Sequence, residues 1–208
     1  MSEEIQLLAD VIEMAQLFEQ RDYCPGSVQD ELDMLEARIS AAYTNVTKEI
    51  RALSGEPFDS DERNVSIQTR LFIGATWIYF IRMARHISGS STTVTSILGD
   101  VFDDKKTGID TLQRCNLPFA VLIMGSEAAS EARRRSVLDL IDRAADAVSS
   151  PALATSAVYN PLGYVADMLR TSWMFDDLHV GHDGGRHLDY RHKMHLVFAA
   201  SEVMPALA

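Results

Sequence analysis

Apolar residues recur at steps of three and four along nearly the whole chain, and nowhere do they alternate in twos between hairpin-type turns. Side chains at that spacing fall on one face of a helix, whereas strands need a period of two. The pattern therefore predicts an all-α fold and excludes a sheet. The first stripe runs through Ile5, Leu8, Ile12, Ala15 and either Leu17 or Phe18, and stops near Cys24-Pro25-Gly26. Ser27 followed by Asp30 has the spacing of a capping box, and Leu32, Leu35, Ile39, Ala42, Val46, Ile50 and Leu53 then mark a long second helix. Ser54-Gly55-Glu56-Pro57 breaks it, and acidic residues 59–62 lead into a third helix through Ile67, Leu71, Trp77, Ile78, Ile81 and Ala84. Gly89 is the expected end signal of that third helix.

Ser90, Ser91 or Thr92 can cap a fourth helix carrying Val94, Ile97, Leu98, Val101 and Phe102, and a short segment at 108–115 follows. Pro118 then opens residues 119–124, which are apolar without a break. A helix with no polar side is buried all round, so this segment is the expected core helix. Residues 131–148 are amphipathic, with Val137, Leu138, Leu140, Ile141 and Ala145 inward and Arg133, Arg134 and Arg135 mostly outward. A loop at 149–160, a helix from Pro161 to about Phe175, a glycine-rich link at 181–185 and a last helix from Tyr190 complete the chain. No repeat of solenoid period is present. The reading is one helical domain over 1–208, an antiparallel bundle or array of roughly eight or nine helices.

Composition narrows the function. At 208 residues, 47% hydrophobic and 24% charged, the chain can bury a single sizeable core. Its 30 acidic residues outnumber 19 basic ones, and the net charge of -11 repels a phosphate backbone, so no direct nucleic-acid partner is expected. Cys24 and Cys115 are too far apart for a C-x-x-C motif and read as reduced thiols. Glu3, Glu4 and Asp10 stand where an export signal needs basic residues, and the longest apolar run, 117–125, is about half of the roughly 20 residues that cross a bilayer. The expectation is an intracellular protein, cytoplasmic or nuclear, with no membrane partner.

Three stretches resemble the fungal-specific transcription-factor domain, the regulatory region found downstream of fungal zinc-cluster DNA-binding modules. In Asn116-Leu117-Pro118-Phe119-Ala120-Val121-Leu122-Ile123-Met124-Gly125-Ser126-Glu127-Ala128, a proline leads an apolar helix into Gly-x-Glu-Ala, and an arginine-bearing helix from Arg133 to Ile141 follows. Arg70-Leu71-Phe72 to Trp77-Ile78-Tyr79-Phe80 is similar to the family's helix ending in an Ile-Tyr pair. Leu188-Asp189-Tyr190-Arg191-His192-Lys193-Met194 resembles its terminal Asp-aromatic-Arg motif. The resemblance implies the C-terminal part of a longer regulatory domain. Full regulators of that family also carry six clustered cysteines holding two zinc ions and a basic region, and these residues contain neither. The resemblance thus implies either a regulatory fragment or a stand-alone descendant, and Met1-Ser2-Glu3-Glu4 reads as a natural start that favours the second.

Five of the 6 histidines, His179, His182, His187, His192 and His195, crowd the C-terminal region with Asp176, Asp177, Asp183 and Asp189. Imidazoles and carboxylates together bind metals or exchange protons, yet only His192 and His195 share a helical face and no H-E-x-x-H motif exists. A polar loop with capping side chains is the preferred reading, and no metal is expected. Tyr79, Arg82 and His86 step along one side of the third helix and are the candidate hydrogen-bond donors to a carbonyl or carboxylate. The plain alternative, which is favoured, pairs Arg82 and Arg85 with acidic neighbours and leaves Tyr79 in the core. Glu127 is the candidate general acid or base, or else the partner of an arginine at a helix corner. Trp77, Tyr159, Tyr164, Met168, Trp173 and Phe175 are candidates for an aromatic, methionine-lined cavity, a set equally suited to ordinary core.

Neither a glycine-rich phosphate loop nor a nucleophile elbow is present, so no cofactor is expected. The leading expectation is a stand-alone helical protein that binds a hydrophobic small molecule between helices in fungal secondary metabolism. Any reaction would be a cofactor-free cyclisation driven by positioning and one or two donors. The alternative is a non-catalytic regulatory or effector-sensing fragment of a zinc-cluster regulator, and a third class is a homo-oligomeric structural partner with a large apolar face.

Overall fold

In the computed structural model, which describes residues 3–20, 25–53, 61–102, 118–148, 161–179 and 189–200, the third helix is the hub against which four others pack. The described residues form eight helices and no strand. These are α1 (Glu3–Gln20), α2 (Pro25–Ala52), α3 (Asp61–Tyr79, continued by a π-helical segment, Phe80–Ala84), α4 (Thr92–Phe102), α5 (Pro118–Ser126), α6 (Glu131–Val148), α7 (Pro161–His179) and α8 (Tyr190–Ala200). The all-α reading holds, and the eight helices of the described residues agree with the expected eight or nine.

Helix α3 meets α1, α2, α4 and α5, while α5 meets α3, α6 and α7. Helix α8 comes back onto α7 and the π segment, so the end of the described chain lies against the middle. The expected core helix is the core helix: every residue from Phe119 to Ser126 is buried. One apolar cluster draws on all eight helices, from Val11 and Ile39 through Ile78, Ile97 and Leu122 to Leu140, Leu169 and Val197. Two glycines let backbones close on one another. A Cβ on Gly74 would stand 3.1 Å from Ile97 and Met124 and 3.2 Å from Tyr43, so its absence lets α2, α4 and α5 converge on α3. At Gly125 it would stand 2.9 Å from both Leu169 methyls and 3.3 Å from Val137.

Element ends depart from expectation in informative places. Helix α2 starts at Pro25, since a proline fits the first helical position, where its missing N–H is not needed. Ser91 is the residue that caps α4, its hydroxyl accepting from Val94 N–H at 3.4 Å and its carbonyl from Thr95 N–H at 2.9 Å. Helix α7 runs past Phe175 to His179. The end of α3 is the largest departure. Gly89 does not turn the chain; His86 does, at φ 54 in the left-handed region. Arg85 N–H bonds Phe80 O at 3.0 Å and Ile87 N–H bonds Ile81 O at 3.1 Å, a closing turn one residue wider than the usual helix end. Among the described helices none is long and apolar enough to cross a membrane.

Candidate functional site

A buried polar node lies where the π segment, the corner after α5 and the start of α8 meet. It begins with Arg82, whose side chain is only 7% exposed. A guanidinium moved out of water needs a partner for its charge and acceptors for its N–H groups. Glu127 supplies the first: Arg82 Nε donates to Oε1 at 2.8 Å and Nη2 to Oε2 at 2.7 Å, a fork matched to a carboxylate. The backbone supplies the rest, with Nη1 donating to Ile87 O at 2.5 Å and Gly89 O at 2.6 Å. Arg82 therefore ties down the turn that His86 opens. Burial pulls its pKa down, but the Glu127 hydrogen bonds and charge more than offset that and leave it above the ordinary arginine value.

Tyr190, the first residue of α8, fills the space beside this pair. Two cations lie over its ring, Arg82 Cζ at 5.8 Å and Lys193 Nζ at 5.1 Å from the centroid. Its hydroxyl is 3.0 Å from Ser126 Oγ. The Ser126 hydroxyl already donates to Ile123 O at 2.8 Å, so Tyr190 must be the donor between them. Burial first, and the Glu127 charge second, push the phenol well above the usual tyrosine range, so it stays a neutral donor. Buried Lys193 finds its own carboxylate in Asp176 of α7, at 3.0 and 3.2 Å.

The rim of the node fastens α8 to the loop after α3. Asp189 caps α8, its carboxylate accepting from His192 N–H at 3.3 Å and from the Ser88 hydroxyl at 2.8 Å. Tyr190 N–H in turn donates to Ser88 Oγ at 3.0 Å. Arg191 Nη1 lies 3.2 Å from Nε2 of His86. On the other side of Gly125, the Trp173 indole donates to Gly125 O at 3.0 Å, and Arg134 covers the Trp173 ring at 5.6 Å. Arg134 also donates to Ala128 O at 3.1 Å and forks onto Asp177 at 2.8 and 2.9 Å.

The family model that matches the chain is that of the fungal specific transcription factor domain, over residues 2–194. The chain belongs to this family. No curated protein and no solved structure matches it.

Read onto the fungal specific transcription factor domain, the three motif-like stretches are one structure. The Gly-x-Glu-Ala run supplies Gly125 as a contact and carbonyl, Ser126 and Glu127 as node partners and Ala128 as an acceptor for Arg134. The Asp-aromatic-Arg run supplies the cap, the filler ring and the His86 contact. The Ile-Tyr helix brings Arg82 into place one turn beyond Tyr79, whose ring packs edge-on to Phe119 at 5.9 Å.

The structure thus brings Tyr79, Arg82, His86 and Glu127 to one side of α3, facing α5 and α8. Arg82 and Arg85 both pair with acids, Arg85 donating to Asp33 at 2.5 Å and Glu36 at 2.6 Å on α2. The described residues of the proposed cavity set lie on two helices, α3 and α7. Met168 and Trp173 are buried in α7, Phe175 is half-buried and Tyr164 is 40% exposed. Trp77 instead sits by α2, edge-on to Tyr43 at 5.7 Å, and Tyr159 lies outside the described residues. Of the histidines, His182 and His187 lie outside them too, while His192 and His195 are exposed and His179 Nδ1 is 2.8 Å from Phe175 O. Among the described residues no three His, Cys, Asp or Glu side chains converge as a metal-holding group. Arg134 is a correction: its side chain is only 14% exposed and stacks inward, whereas Arg135 is 73% exposed. Sequence reasoning missed the roles of Ser126, Lys193 and Asp176, because each depends on a contact between distant elements that no local spacing announces.

Proposed function

We propose that the chain is a non-catalytic regulatory domain that works through protein contacts, the part of a transcriptional regulator that responds and relays. The carrying observation is the family match over residues 2–194, with Arg82 forked onto Glu127 and set against the Tyr190 ring at the junction of three elements. Such a junction couples the positions of α3, α5 and α8, which is what a relay element needs. A hydrophobic small molecule, where one acts, enters this reading as an effector rather than a substrate.

The competing reading makes Tyr79, Arg82, His86 and Glu127 the donors and acid of a cofactor-free cyclisation. It asks Arg82 to reach a substrate carbonyl, and that guanidinium is already committed to Glu127, Ile87 O and Gly89 O. The regulatory reading uses the same residues without freeing any of them.

The test is transcriptional. The full chain is tethered at a promoter through a heterologous DNA-binding module in a fungal host, and reporter output is compared with the module alone. The expected result is a change in output that Glu127→Ala, which opens the node, alters and that Arg135→Ala, on the exposed side of α6, leaves as it was. Output equal to that of the bare module would remove the proposal.

A further inference from the structure

Serine follows arginine at a distance of three in four places: Arg51 and Ser54, Arg63 and Ser66, Arg85 and Ser88, and Arg133 and Ser136. A kinase groove lined with carboxylates reads an arginine at that distance from the acceptor, but not where the acceptor is wound into a helix. Ser66 and Ser136 are inside α3 and α6, and Ser136 Oγ donates back to Ala132 O at 3.0 Å. Ser54 lies outside the described residues. Ser88 alone among the described acceptors sits off a helix, between His86, Ile87, Gly89 and Ser90, which are all exposed. Its arginine, Arg85, has a side chain only 16% exposed, held by the carboxylates of Asp33 and Glu36, which are 58% and 34% exposed. A kinase groove offers the same chemistry in exchange.

We propose that Ser88 is a phosphoacceptor for an arginine-directed serine kinase and that its phosphorylation releases α8 from α3. In the transfer, the bond from the γ-phosphorus of ATP to its bridging oxygen breaks and a bond to Ser88 Oγ forms. The hydroxyl proton passes to the kinase's base and ADP leaves. The ester oxygen that results has no hydrogen to give Asp189, and the new phosphate, carrying about two negative charges, stands beside that carboxylate. The cations that could receive it are already engaged. Arg82 holds Glu127 and two carbonyls, Lys193 holds Asp176, and Arg191 leans on His86. The overall charge of -11 adds to the repulsion. The hydrogen bond from Ser88 to Asp189 is therefore lost and replaced by repulsion at the start of α8, and the short helix loosens.

The inference does not rest on the regulatory reading, because its readouts are mass and exchange rather than transcription. The full chain is incubated with a purified arginine-directed serine kinase and MgATP, and the product is mapped by peptide mass spectrometry and by amide hydrogen exchange. The expected result is a phosphoryl group at Ser88, absent from Ser88→Ala and Arg85→Gln, with exchange in α8 rising about tenfold while α5 and α6 stay protected. Site mapping on the wild-type chain decides the first half even if a variant fails to fold, which circular dichroism detects. A folded chain left unmodified at Ser88, or modified there with α8 exchange unchanged or slowed, overturns the proposal.

Discussion

An added methyl at Gly125 would meet both Leu169 methyls at 2.9 Å inside a core where Leu169 is 0% exposed, so the leucine has nowhere to swing. Overpacking of this sort costs about 1–3 kcal/mol, and Gly125→Ala should lower the urea midpoint accordingly. Leu169→Val in the same background should recover part of the loss, as coupled neighbours do. Gly163 on α7 is the control: a Cβ there meets nothing within 4 Å, so Gly163→Ala should raise stability by about 0.4–1 kcal/mol through the unfolded chain alone. The contrast also marks what residues disclose by themselves. Both are helical glycines; the apolar run that Gly125 closes announces burial, but nothing in the sequence gives the distance at which Leu169 stands. By contrast, Phe119 to Met124 announced their burial, because an unbroken apolar run leaves a helix no side to give to water.

Elements were legible in their bodies and less so at their ends. The stripes through Leu32 to Ile50 and Val137 to Ile141 set α2 and α6, since periodicity averages over several turns. The end of α3 escaped because a single residue in the left-handed region, His86, stopped it where a glycine was expected. The node escaped in part for a related reason. Arg82 and Glu127 were each visible as chemistry, but their pairing joins two helices far apart in the chain. Removing one partner of such a buried pair strands the other, at a cost of about 3–5 kcal/mol, so Glu127→Ala should be among the most damaging single changes. The double change Arg82→Met with Glu127→Leu should cost clearly less, and a denaturation cycle on the four proteins measures the difference. Equal losses in the single and double variants would mean that Glu127 does not compensate the buried cation.

For the molecule as a whole, stability against pH should form a plateau with two shoulders. Asp33 and Asp177 are held below the ordinary value of 3.8 chiefly by Arg85 and Arg134. At Asp10 burial pushes up, but the Gln6 and Arg38 hydrogen bonds outweigh it, leaving the carboxyl below 3.8. Depressed carboxyls contribute fully above their unfolded value and lose that contribution as pH falls through the folded one, so the acid shoulder lies below 3.8. Tyr43, half-buried and bonded to Asp100 at 3.0 Å, and Tyr190 are both raised from 10.0, chiefly by burial. Their contribution is complete below 10.0 and is lost as pH climbs from there toward the folded values. Urea midpoints should therefore fall above that point by up to about 1.4 kcal/mol per pH unit for each tyrosine, with Tyr43→Phe making the decline shallower.

The widened turn at Phe80–Ala84 has a consequence for how this chain tolerates change in length. In an ordinary helix two cations three positions apart share a face; here Arg82 goes to Glu127 while Arg85 goes across to Asp33 and Glu36. Deleting one residue from the segment would restore regular winding, yet rotate everything downstream by about 100° and send one of those charges into grease. Insertions and deletions ought to be accepted almost anywhere on this protein's surface before they are accepted there.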